Sequence, residues 1–165
     1  MGTATLYDDD IVTWAEQQAA ALRELAARPE LSNAVDWENV IEEVECLGRS
    51  EWKGVESQLI NALAHILKGF CDAGSPSRGP WAIETGNFLQ DARRDFRNSM
   101  RQKLDIDEVW RAAFERASRE LLTYKRRIPP GIPSDCPFTL DEVLAQDFAY
   151  ESAIRRLYER LDARH

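Results

Sequence analysis

A chain of 165 residues with 44% apolar content, five Trp and six Phe has the means to bury a core, which excludes a disordered polymer. A formal net charge of −8 argues against uniform binding to nucleic acid or to an anionic membrane. Three cysteines far apart, Cys46, Cys71 and Cys136, have neither metal-ligand nor redox spacing, so reduced thiols are expected.

No segment is apolar enough to span a bilayer. Met1 to Tyr7 lacks the basic region and apolar stretch of a signal peptide. The expectation is a soluble cytoplasmic protein with no nucleic-acid or membrane partner.

Asp8, Asp9 and Asp10 lead into a first helix with Ile11, Trp14, Gln18, Leu22 and Leu25 on its inward face. Acidic residues there meet the helix dipole and cap open amides, a role preferred to metal binding. Pro29 predicts an end near Arg28. Asp36 then caps a second helix, with Val35 and Val40 spaced as a hydrophobic staple. At 100° per residue, Glu38, Glu42, Glu45 and Arg49 share one face of that helix, and Val40, Ile41, Val44 and Leu47 the other. The apolar spacing continues through Trp52, Val55, Leu59, Ala62, Leu63, Ile66 and Phe70. Gly48 and Gly54 each cost roughly 1 kcal/mol relative to Ala, so the helix either runs through them or bends at Gly48.

Residues 73–79 read as a loop, and Pro80 fits the first turn of a third helix presenting Trp81, Phe88, Leu89, Ala92, Phe96 and Met100. Asp105 or Asp107 caps a fourth, with Ile106, Val109, Trp110, Ala113, Phe114, Ala117, Leu121 and Tyr124 inward and Lys125, Arg126 and Arg127 in its last turn. After an irregular Pro-rich linker, Thr139 and Glu142 form a capping-box pattern, and a final helix carries Tyr150, Ile154, Leu157, Tyr158 and Leu161. Without a strand pattern or internal repeat, the fold class is all-α: a helical bundle of four main helices plus one or two shorter C-terminal helices.

Several of these segments together resemble the bacterial domain of unknown function 29 family. They are Tyr7-Asp8-Asp9-Asp10 with Trp14, the acidic run Glu38 to Glu45, and Leu47-Gly48-Arg49-Ser50-Glu51 after it. Downstream come His65-Ile66-Leu67-Lys68, Trp81, and Cys136-Pro137-Phe138-Thr139-Leu140 leading to Asp147-Phe148. The resemblance implies a small helical protein, mainly from cyanobacteria and proteobacteria, and implies no activity. It marks residues 1–148 as the helical-bundle domain and leaves 149–165 as a C-terminal helical extension packed on it, used for packing or for pairing subunits.

Three stacked carboxylates, Glu38, Glu42 and Glu45, repel one another unless something offsets the charge. Carboxylates at this spacing can share Mg²⁺ or Mn²⁺, and a metal-dependent hydrolase of phosphate esters or anhydrides is the alternative function. Glu42-Glu43 resembles the start of the all-α nucleotide pyrophosphohydrolase pattern, but Cys46 stands where a further Glu is expected and no clear Glu-x-x-Asp follows. The Glu-x-x-His of two-metal bundles is also missing, and the histidines are His65 and His165. The favoured reading is an ion-pair layer, with arginines from Arg93, Arg94, Arg97 and Arg101 on the third helix or Arg23 and Arg28 on the first. His65 reads as a core or boundary histidine, and Cys136 as a small hydrophobe. Trp37 is placed to line a pocket or interface, and Trp37, Arg49 and His65 are the binding candidates. The leading function is a small helical interaction or scaffold protein without catalysis, needing no cofactor and acting through a protein partner or self-association, the latter through the second and last helices.

Overall fold

The computed structural model describes residues 5–28, 30 and 34–162. These form seven α-helices and one 3-10 helix: α1 (Leu6–Asp9), α2 (Ile11–Ala26), α3 (Trp37–Cys71), α4 (Arg78–Asp95), the 3-10 helix (Asn98–Gln102), α5 (Ile106–Thr123), α6 (Leu140–Leu144) and α7 (Tyr150–Asp162). No strand occurs among the described residues. The fold is an all-α helical bundle. None of its helices is long and apolar enough to cross a membrane, among the described residues.

Contacts divide the chain into two compact units, one from residues 1–54 and 96–103, the other from 55–95 and 104–165. α3 supplies residues to both. It runs unbroken through Gly48 and Gly54, which settles the choice between continuation and a bend.

In the first unit, Asp10 caps α2 by accepting from the Thr13 N–H at 3.0 Å, and it also accepts from the Ser99 hydroxyl at 2.8 Å. Burial alone would raise the Asp10 carboxyl, but these bonds outweigh it and hold its pKa below the ordinary value. Asp36 caps α3 as the spacing predicts, accepting from the Asn39 N–H at 3.3 Å. Val35 and Val40 remain 40% and 39% exposed, so Val40 does not join the inward face. α2 packs on α3 at Gly48, where a Cβ would stand 3.0 Å from the Ala15 Cβ. The unit's buried residues are few: Val12, Ala15, Ala19, Gly48 and Met100 among those described. Trp14, Leu22, Leu25, Trp37, Ile41, Val44, Leu47 and Trp52 are only half-buried.

The second unit has the denser core. Leu59, Leu63, Ile66 and Leu67 of α3, Trp81 and Leu89 of α4, and Trp110, Ala113 and Leu121 of α5 are buried, as are Phe138, Val143, Tyr150, Ile154 and Leu157. Trp110 meets Phe138 edge-on at 6.3 Å between ring centroids and donates its indole N–H to the Pro133 carbonyl at 2.9 Å, tying down the Pro-rich linker. The predicted capping box on α6 forms, with the Thr139 N–H donating to Glu142 at 2.7 Å and the Glu142 N–H to Thr139 at 3.2 Å. Arg93 closes the other end of that helix. Its guanidinium donates to the carbonyls of Leu144 at 3.1 Å, Ala145 at 2.6 Å and Phe148 at 3.3 Å. Tyr150 packs on Gly69 of α3 so closely that any Cβ there would overlap its hydroxyl.

Further details differ from the sequence reading: the buried face of α2 is Val12, Ala15 and Ala19, while Ile11, Trp14, Gln18, Leu22 and Leu25, the expected inward face, are only half-buried. α4 stops at Asp95, so Phe96, Met100, Arg97 and Arg101 do not lie on it; Arg97 is extended (φ −123°, ψ 151°) and the 3-10 helix follows. α5 ends at Thr123, before the basic run. Lys125 takes a left-handed φ of 58°, while its N–H and that of Arg126 donate to the Leu122 and Leu121 carbonyls, a six-residue closure of the helix end. Tyr124, beyond the last turn, is 59% exposed rather than inward.

Candidate functional site

The acidic face of α3 forms one wall of a cleft inside the first unit, opposite α2. Trp37, Glu38, Ile41, Glu42, Glu45 and Arg49 line a depression of about 580 Å³ together with Arg23 and Ala26. A second depression of about 310 Å³ adjoins it, sharing Glu45 and Arg49 and lined also by Val12, Ala15, Glu16, Gly48, Trp52 and Lys103. Five of the six sequence candidates, Trp37, Glu38, Glu42, Glu45 and Arg49, therefore come together. The sixth, His65, belongs to the second unit and lines neither depression.

Charge in the cleft is balanced unevenly. Arg23 of α2 forms an ion pair with Glu45. Lys103 pairs with Glu16 at 2.8 Å. Arg49 donates to the Cys46 sulfur at 3.0 Å; that contact, with Glu45 and Glu42 nearby, holds its pKa above the usual value. Glu38 and Glu42 are exposed and have no ion-pair partner among the described residues. Nor do any three His, Cys, Asp or Glu side chains converge as metal ligands, among the described residues. Of the three carboxylates, Glu45 thus meets an arginine of the neighbouring helix, whereas Glu38 and Glu42 form no ion pair among the described residues. Of the arginines offered by sequence, Arg23 reaches this face, while Arg93 serves the α6 end and Arg94 pairs with Asp91 and Asp95.

In the second unit a polar group lies inside the core. Lys68 is 4% exposed, its ammonium 2.5 Å from Glu120 of α5 and 4.9 Å from the centre of the Trp81 ring. One turn earlier His65 places Nδ1 3.3 Å from Glu84 Oε2, close enough for charge attraction but off the line of a hydrogen bond, and it meets Phe88 edge-on. Burial, then Lys68, pushes the His65 pKa below its usual value, against the pull of Glu84 and Glu120. The one sequence signal for Lys68 is its setting among core positions, between Leu67 and Phe70. The thiols of Cys71 and Cys136 are pushed up to about 12 by burial, which leaves them protonated and unreactive at neutral pH.

No curated protein matches this chain. A crystal structure of an alpha-helical protein of unknown function from Rhodospirillum rubrum is similar at 27% identity and a TM-score of 0.83, covering 94% of this chain and 99% of that one. The family model of the domain of unknown function DUF29 matches residues 6–149, the span holding the acidic helix, its Leu-Gly-Arg-Ser ending and the His65–Lys68 pair, and the chain belongs to that family.

Proposed function

We propose that this chain is a non-catalytic helical interaction protein whose cleft between α2 and the first part of α3 receives a basic, amphipathic helical segment of a partner protein. The observation that carries the reading is the pairing of half-covered apolar surface with two exposed glutamates that form no ion pair among the described residues, although Arg23 and Arg49 also line the depression. Trp37 and Ile41 are half-buried beside Glu38 and Glu42, which have no ion-pair partner among the described residues. A segment with Leu or Ile on one edge and Arg or Lys on the other covers both, which is the helix-in-groove mode of recognition. The thin core of the first unit supports it, since half-buried Trp and Leu side chains gain from further cover. The free thiols fit a reducing cytoplasm.

The test is an NMR titration of the ¹⁵N-labelled chain with two synthetic helices of identical Leu pattern, one carrying Arg and the other Glu on the polar face. The expected result is shift changes in the amides of residues 37–49 with the Arg peptide alone, abolished in the Glu38→Lys/Glu42→Lys variant. Equal response to both peptides, or none to either, overturns the reading.

A further inference from the structure

α5 leaves one face without a neighbour. Phe114 and Ser118 are half-buried, and Leu122, two turns beyond Phe114, is 56% exposed. Phe114, Glu115, Ser118 and Arg119 line a shallow depression of about 500 Å³. Glu115 and Arg119 are exposed and have no ion-pair partner among the described residues.

We propose that this face binds a second copy of the chain, with the two α5 helices antiparallel across a two-fold axis at Ser118. The reason is self-complementarity. Phe114 and Leu122 lie four residues before and four after Ser118, so reversing the helix about that point sets Phe114 of each copy beside Leu122 of the other. The same reversal keeps Glu115 and Arg119 on one side of the seam, with Glu115 of each copy two residue steps, about 3 Å in rise, from Arg119 of the other, a gap that the two long side chains span. Two ion pairs then run along one side of two apolar contacts, and the small Ser118 at the axis lets the helices approach. A partner of unrelated sequence has no need of this symmetry. One helix face per copy is small for an interface, so the association is weak and depends on concentration. It is independent of the cleft in the first unit.

The charges allow a test that leaves the fold alone, since both side chains are exposed. Sedimentation velocity of the full chain from about 5 to about 500 µM should show the average mass rising from monomer toward twice that value. Glu115→Arg sets Arg against Arg at the seam, and Arg119→Glu sets Glu against Glu, so each variant alone should stay monomeric over the same range. Mixed in equal amounts, the two variants restore both ion pairs and should dimerise as the unaltered chain does. A monomeric wild type, a single variant that dimerises normally, or a mixture that fails to pair overturns the proposal.

Discussion

Ala15 and Gly48 define the crossing of α2 and α3: a Cβ on Gly48 would come within 3.0 Å of the Ala15 Cβ, with the Val12 backbone next in line. Ala15 is 1% exposed and its Cβ is fixed to a helix backbone, so it yields only if α2 moves. This gives the Leu-Gly-Arg-Ser segment a physical content. The glycine admits the neighbouring helix, and the arginine after it faces the cleft that the close crossing creates.

Gly48→Val is expected to cost about 1–3 kcal/mol by overpacking, with α2 displaced and the cleft opened. Gly54→Ala, where nothing lies within 4 Å, is expected to stabilise by about 0.5–1 kcal/mol through helix propensity alone. Urea unfolding midpoints of the two variants should move in opposite directions. A shift of the same sign in both would show that packing at Gly48 is looser than the geometry implies.

His65 makes stability sensitive to mild acid. Its folded pKa lies below the ordinary value of about 6.5, because burial and Lys68 oppose the charged form more than Glu84 and Glu120 favour it. The unfolded chain therefore binds the extra proton first. Stability contributed by neutral His65 is complete above about pH 6.5, declines as pH falls below that value, and levels off once the folded form is protonated too. Thermal unfolding of wild type and His65→Gln between pH 5 and 8, marked out by the range in which histidine titrates, should show a decline in the former that the latter lacks; parallel curves would refute it.

The Lys68–Glu120 pair separates charge from packing. Lys68→Met keeps most of the volume against Trp81 and removes the charge, so its effect should lie within about 1 kcal/mol of zero. Glu120→Ala leaves the ammonium inside the core without its partner and should cost about 1–3 kcal/mol, less than a fully buried pair because the Glu120 side chain is 43% exposed. Chemical denaturation of both variants and of the double mutant measures the coupling.

Lys125 occupies a backbone conformation that favours glycine. Lys125→Gly relieves the left-handed φ while preserving the two bonds to the Leu121 and Leu122 carbonyls, and should raise stability by about 0.5–1 kcal/mol. An unchanged or lowered melting temperature would point to a role for the lysine side chain itself.

Binding of Mg²⁺ or Mn²⁺ that depends on Glu42 is not expected, given Arg23 on Glu45. Calorimetric titration of metal-stripped protein beside Glu42→Gln should give no heat that distinguishes the two. Binding lost in the variant would return a phosphate-ester hydrolase to consideration.

What could be read in advance followed the reach of each interaction. Periodicity and caps are local, so α2, α3, α5 and α7 and the Asp36 and Thr139 caps were legible from neighbours three or four residues away. The end of α5 was not, because a lysine rather than a glycine adopts the left-handed turn. Arginine partners were not legible either, since Arg93 finds its carbonyls some fifty residues along the chain and Arg23 finds Glu45 across twenty-two. The break after α4 carries no Pro or Gly to announce it. In the cleft, the face was visible in the spacing of the glutamates, but the opposite wall came from packing at a glycine that a propensity scale counts only as a weakness.

The Arg93 clasp has a consequence for motion. Carbonyls that a helix end normally surrenders to water are here held by a side chain from α4, so the corner at residues 143–148 is no ordinary surface turn. Its backbone cannot open until that guanidinium lets go. The protection of its amide hydrogens from solvent exchange should therefore rise and fall with that of α4, as one cooperative unit, and not with the Pro-rich linker that precedes it in the chain.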